Sequence, residues 1–154
     1  MKKNIGNALA LYPTPLVVVG AMVDGKPNWL LVGHVGILGH DHVMVSLSSA
    51  HYTNKGSKED KSQLFAYTLE NGVPVLEDAP VSMVCSVEDI YSTKGFESFI
   101  CTIDATCAEE SVLGEQGKLD YRALKPVLFE MPTYQYLRTG DVIAPCMSFG
   151  KAQA

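Results

Sequence analysis

Short β-branched runs broken by Gly and Pro set the strongest limit on what this chain can fold into. Residues 16–23, Leu16-Val17-Val18-Val19-Gly20-Ala21-Met22-Val23, have strand length and strand composition. Asp24-Gly25 follows. Asp-Gly between two apolar runs signals a hairpin, because the favoured two-residue turns need left-handed backbone that these residues tolerate. The next run, 29–38, carries Gly33 and Gly36. Glycine inside a strand-like run marks a bulge, a bend or the close approach of another group. Residues 39–42 are polar and turn-like, and 43–48 alternate with period two, as a half-buried strand does. A short helix is expected over 61–69 and a turn at Asn71-Gly72. Strands are expected over 81–90 and 97–107, the second with Phe99, Cys101, Ile103 and Ala105 on one face. Residues 119–124 predict a short helix or turn. Residues 127–131 predict a strand ended by Pro132, and 134–138 a short aromatic one. No helical period is sustained. The pattern is that of a mostly-β barrel or sandwich, and a barrel of about six strands would remove exposed edges.

At 154 residues the chain has the length of one domain, spanning 1–154. A chain near this size buries roughly 68–70% of its unfolded surface, so its core needs no staples. Apolar residues make up 47% and charged residues 19%, which excludes a disordered chain. The apolar share exceeds what a core of this size requires and points to a buried subunit interface or a cofactor pocket. The net charge is −5 and no Lys/Arg cluster occurs, so nucleic acid is not an expected partner. No apolar run approaches about 18 residues, the length needed to span a membrane. Lys2 and Lys3 precede a short apolar stretch, but Pro13 and Pro15 break it, so it does not read as a signal peptide. A cytoplasmic location is the resulting expectation. The four cysteines, Cys85, Cys101, Cys107 and Cys146, lack metal-ligand spacing and read as small buried hydrophobes in a reducing compartment.

Two segments carry candidate chemistry. In the first, Ser46-Leu47-Ser48-Ser49-Ala50-His51-Tyr52-Thr53-Asn54-Lys55, a strand delivers hydroxyls to a loop that ends in lysine. Backbone N–H groups, Ser/Thr hydroxyls and one or two Lys make a phosphate-binding shell; a polar strand end on the surface would look the same. In the second, Asn28-Trp29-Leu30-Leu31-Val32-Gly33-His34, glycine lets a flat ring approach closely, and strand backbone can reach the ring's polar edge. An ordinary core strand is the competing reading. His40-x-His42 on a strand would face one way with Asp41 facing the other, which makes a poor metal site. No nucleophile motif and no G-x-G-x-x-G occur, so neither a hydrolase nor a Rossmann-type nicotinamide domain is expected.

Taken together, these stretches resemble the flavin reductase-like family with the FMN-binding split barrel, and especially its flavoredoxin-like branch. The resemblance is carried by residues 12–20, 24–29, 35–37 and 46–56, with Asp60-Lys61-Ser62, Leu64-Phe65, 126–128 and 148–151 adding to it. It implies a mostly-β split barrel with short helices. It also implies a homodimer holding non-covalent FMN at the subunit interface, and electron transfer from NAD(P)H to flavin or from bound FMN to an acceptor. By the same resemblance, 28–34 would line the isoalloxazine. Ser46, Leu47, Ser48, Ser49, His51, Tyr52 and Thr53 would hold the ribityl phosphate, with Asn54, Lys55 and Lys61 nearby as charge partners. No protein acid or base is required, since the flavin carries the hydride chemistry. The chain departs from the family after Asn54, where roughly thirty residues of strand and helix are missing before Asp60. A shortened barrel, open or closed by a partner chain, is therefore expected. Lys55 could align with either side of the gap. The alternatives are a non-catalytic flavin-binding or interaction module on the same fold, and a metal- or haem-handling split barrel using His34 or His51.

Overall fold

The computed structural model describes residues 1–50 and 61–144. Its strands are β1 (Thr14–Pro15), β2 (Val17–Val23), β3 (Lys26–Val32), β4 (Val35–Ile37), β5 (His42–Ser48), β6 (Tyr67–Glu70), β7 (Val73–Leu76), β8 (Val81–Thr93), β9 (Phe96–Ala108), β10 (Val127–Glu130) and β11 (Gln135–Arg138). One short helix, α1 (Tyr121–Leu124), lies before β10. The strands form sheets in the orders β1-β10-β11, β2-β3, β4-β5-β9-β8 and β6-β7. Every pairing is antiparallel. The fold is a mostly-β split barrel, and no closed barrel forms among the described residues, as a shortened barrel requires.

The hairpin signals act where turn chemistry places them. Asp24 and Gly25 have φ of 50° and 76°, and Asn71 and Gly72 have 51° and 81°. Two consecutive left-handed residues give the turn whose twist matches the flanking strands. The expected helix over 119–124 is α1, capped by the Asp120 carboxylate, which accepts the Arg122 N–H at 2.9 Å.

Two segments differ from the sequence expectation. The run 29–38 is not one strand, because pairing stops at Gly33-His34 between β3 and β4. The helix expected over 61–69 is a turn followed by β6. The Trp29 indole explains this second difference. Phe65 and Tyr67 both pack edge-on against it, with ring centroids 5.8 and 5.4 Å away. Residues two apart meet one target in extended chain but not on a helix face.

Trp29, Val32, Val84, Cys101 and Val112, with Pro27 and Pro74, are the buried apolar side chains among the described residues. The chain exposes 11989 Å². A compact monomer of 16.7 kDa exposes about 7,600 Å² by size scaling. Ile37, Val87 and Ile90 are 88%, 56% and 50% exposed and belong to the β4-β5-β9-β8 sheet. Among the described residues, no helix is long and apolar enough to cross a membrane.

Candidate functional site

The sheet β4-β5-β9-β8 organises the hydroxyl-rich segment. Ser46 and Ser48 lie two apart on β5 and share one face; Leu47 lies on the other. Opposite them on β9 stand Ser98 and Phe96. Ser46 Oγ and Ser98 Oγ are 2.7 Å apart, and Ser98 is buried. The Ser46 N–H donates to the His34 carbonyl at 2.9 Å, and the His34 ring tilts against Phe96 at 5.4 Å. Ser48 Oγ accepts the Ala50 N–H at 3.3 Å, which leaves its own proton to offer. The Ser49 N–H donates to the Gly95 carbonyl at 3.0 Å, so this amide is already used by the protein. His34, Ser46, Ser48 and Ser49 thus gather at one end of the sheet. His51, Tyr52, Thr53, Asn54 and Lys55, predicted to extend this shell, lie outside the described residues.

The second predicted segment is divided between two roles. Asn28, Trp29 and Val32 are buried, Leu30 is half-buried and Leu31 is exposed. Trp29 faces Phe65 and Tyr67 and is a core residue. Its buried indole N–H has no hydrogen-bond partner among the described residues. The glycines admit the protein's own rings. A Cβ on Gly33 would lie 2.7 Å from Phe129 Cδ1, and one on Gly20 would lie 2.7 Å from Trp29 Cδ1. The room expected at Gly33 for a cofactor ring is therefore occupied by Phe129. The backbone of β3 fits the expectation better. Among the described strands β3 pairs only with β2, so its alternate N–H and C=O groups face away from any strand. One of these, the Trp29 carbonyl, accepts from Lys61 Nζ at 2.8 Å, which brings Lys61 to this edge.

The far end of the same sheet carries a charged cluster that the sequence did not disclose. Asp41, expected to point away from His42, bonds to it: Asp41 Oδ1 lies 2.7 Å from His42 Nδ1. His42 Nε2 lies 3.2 Å from Glu88 Oε2, and Thr102 Oγ1 donates to Glu88 Oε1 at 2.5 Å. Glu88 reaches across because it is the extra residue of a bulge: Val87 pairs with Cys101 and Asp89 with Ile100. The hydrogen bond with Asp41 raises the His42 pKa, and Glu88 adds to this. Bonding to His42 lowers that of Asp41, and the Thr102 hydroxyl, then His42, lowers that of Glu88. Among the described residues, no group of three His, Cys, Asp or Glu is placed to hold a metal ion. Burial raises the thiol pKa of Cys101 and Cys85, which makes neither a reactive thiolate at neutral pH.

Among the described residues, clefts of about 450 and 240 Å³ lie away from both segments, between Gly114 and Arg122 and beside the β6-β7 hairpin.

No family model matches the chain. No curated protein matches it either. Solved structures do. A flavoredoxin from Methanosarcina acetivorans is 26% identical and superposes with a TM-score of 0.89 over 98% of each chain. The chain is thus similar to flavoredoxin and shares its split-barrel fold. A flavoredoxin of Desulfovibrio vulgaris (Miyazaki F) matches 98% of this chain and 100% of its own at 25% identity and TM-score 0.86. An FMN-binding protein from Thermus thermophilus, solved with bound 1-cyclohex-2-enone, shares the fold at 20% identity and TM-score 0.75 over 94% and 100%.

Proposed function

We propose that the chain is a cytoplasmic, FMN-binding flavoprotein oxidoreductase, one flavin-binding domain over 1–154. It would pass electrons from NAD(P)H to flavin, or from bound FMN to an acceptor. The match with flavoredoxin over 98% of both chains carries this reading. The donor set suits the group. Hydroxyls of Ser46, Ser48 and Ser49 suit a ribityl phosphate, and the open edge of β3 suits the polar rim of a flat ring. His51, Tyr52, Thr53, Asn54 and Lys55 would complete the phosphate shell, as the resemblance implies. When bound, FMN supplies the hydride and electron chemistry. The residues of this chain bind, orient and shield it, and none is required to move a proton.

The exposed Ile37, Val87 and Ile90, which register places on the face of this sheet opposite Ser46 and Ser48, support a second part of the reading: a homodimer in which another copy covers that apolar face. The expected mass in solution is twice 16.7 kDa. A chain that sediments as a monomer with FMN bound would remove the dimer from the proposal.

The test is anaerobic. Protein reconstituted with FMN should keep the yellow flavin band through gel filtration, and NADH or NADPH should bleach it. A band that persists under both nucleotides would leave a flavin-binding module without turnover.

A further inference from the structure

Three residues gathered at the hydroxyl end of β5 are held by one short strip, the Gly95–Ser98 start of β9. Gly95 accepts the Ser49 N–H, Phe96 packs on His34, and Ser98 bonds Ser46. The last contact decides where a proton is available. Two hydroxyls 2.7 Å apart share one hydrogen bond and leave one O–H free. Ser98 is 8% exposed, whereas Ser46 is only half-buried. An unused O–H on Ser98 would be a buried donor with nothing to bind, so the favoured arrangement has Ser98 donating and Ser46 offering its proton outward.

We propose that Ser98 is a positioning residue for the cofactor: its buried hydroxyl donates to Ser46 Oγ and keeps the Ser46 proton for an oxygen of the FMN ribityl phosphate. This rests on the flavin-binding reading and adds to it a residue that touches no ligand. Removing the Ser98 hydroxyl frees Ser46 to turn and to spend its proton elsewhere. Ser98 then has nothing further to contribute once Ser46 itself is gone.

The experiment is a double-mutant cycle on the full chain, titrated with FMN and followed by flavin fluorescence. S98A should weaken binding roughly 3–10-fold, the size of one net hydrogen bond. S46A should weaken it at least as much, and S46A/S98A no more than S46A alone. S98T, which restores a hydroxyl, should recover most of the loss. Affinity is compared per folded molecule, because breaking the Ser46–Ser98 bond lowers stability as well; a purely structural Ser98 would lower the melting temperature and leave that affinity unmoved. Wild-type affinity in S98A, or additive losses in the double variant, would overturn the assignment. If S98A does not fold, S98C, with a weak donor of similar size, decides with the same expectation. A wild-type chain that binds no FMN would instead overturn the flavin reading itself, and that outcome is separate from the others.

Discussion

Strands β3 and β5 have similar claims on a cofactor from sequence, and the structure divides them. Both are seven-residue strands in which polar residues interrupt apolar ones. In and around β3 the rings and glycines serve the protein. Trp29 is buried against Phe65 and Tyr67, its indole N–H alone keeping no partner among the described residues, and the spaces at Gly20 on β2 and at Gly33 just after β3 are filled by Trp29 and Phe129. In β5 the special residues keep capacity to spare, since Ser48 retains a proton and the Ser46–Ser98 pair leaves one free O–H. Hydroxyls with protons to spare near the surface are therefore a better guide to a ligand than glycine or an aromatic ring, which the fold readily consumes.

Trp29→Ala gives the largest expected effect. Losing a buried indole should cost about 3–5 kcal/mol of stability, read by urea unfolding. FMN affinity per folded molecule should change little. A selective loss of FMN with unchanged stability would return Trp29 to the cofactor and erase the contrast between the strands.

Ser46→Ala with Ser48→Ala should do the reverse. Each lost bond to a phosphate costs about 1–3 kcal/mol, so FMN binding per folded molecule should fall at least tenfold, over and above the small stability loss from leaving the Ser98 hydroxyl unpaired. Gly33→Ala sharpens the contrast further. Its Cβ would meet Phe129, itself packed among Tyr12, Tyr134 and Tyr136, and overpacking of this kind costs roughly 1–3 kcal/mol. Phe129→Leu should relieve that loss in the double variant. If relief fails and FMN binding alone suffers, Gly33 belongs to the cofactor after all.

The smallest effect lies at the far end of the same sheet, where the polar groups satisfy one another. His42 has a raised pKa, so its contribution is complete below its unfolded value near 6.5 and fades as pH rises through the folded one. Asp41 and Glu88 have lowered values, so theirs is present above about 4.5 and fades in acid. The cluster should therefore help most between about pH 4.5 and 6.5. Glu88→Gln should lower the melting temperature slightly at pH 5.5 and hardly at all at pH 8. Asp41 and Glu88 are solvent-exposed and His42 is half-buried at the surface, so the shift should shrink in high salt. A pH-independent loss would assign Glu88 to the bulge geometry and not to its charge.

Much of this fold is readable from the chain. Asp24-Gly25 names its hairpin and Asn71-Gly72 its turn, though not the strands around it, because so few residues accept two left-handed positions in succession. The period-two runs name β5, β8 and β9. The segment 61–69 is misread because Lys61, Gln63 and Leu64 favour helix locally, while the Trp29 ring recruits Phe65 and Tyr67 from an extended chain. The Glu88 bulge leaves no Gly or Pro to mark it. Ser98 hides for a simpler reason. In an alternating strand, a serine that holds another serine's hydroxyl cannot be told from one facing water until register sets the two opposite each other.

The most direct measurement of the central claim is equilibrium quenching of FMN fluorescence by the flavin-free chain, wild type beside the Ser46→Ala/Ser48→Ala variant at matched stability. The account predicts saturable quenching by the wild type and a curve displaced at least tenfold for the variant. Superimposable curves, or no quenching by the wild type at any protein concentration, would contradict it.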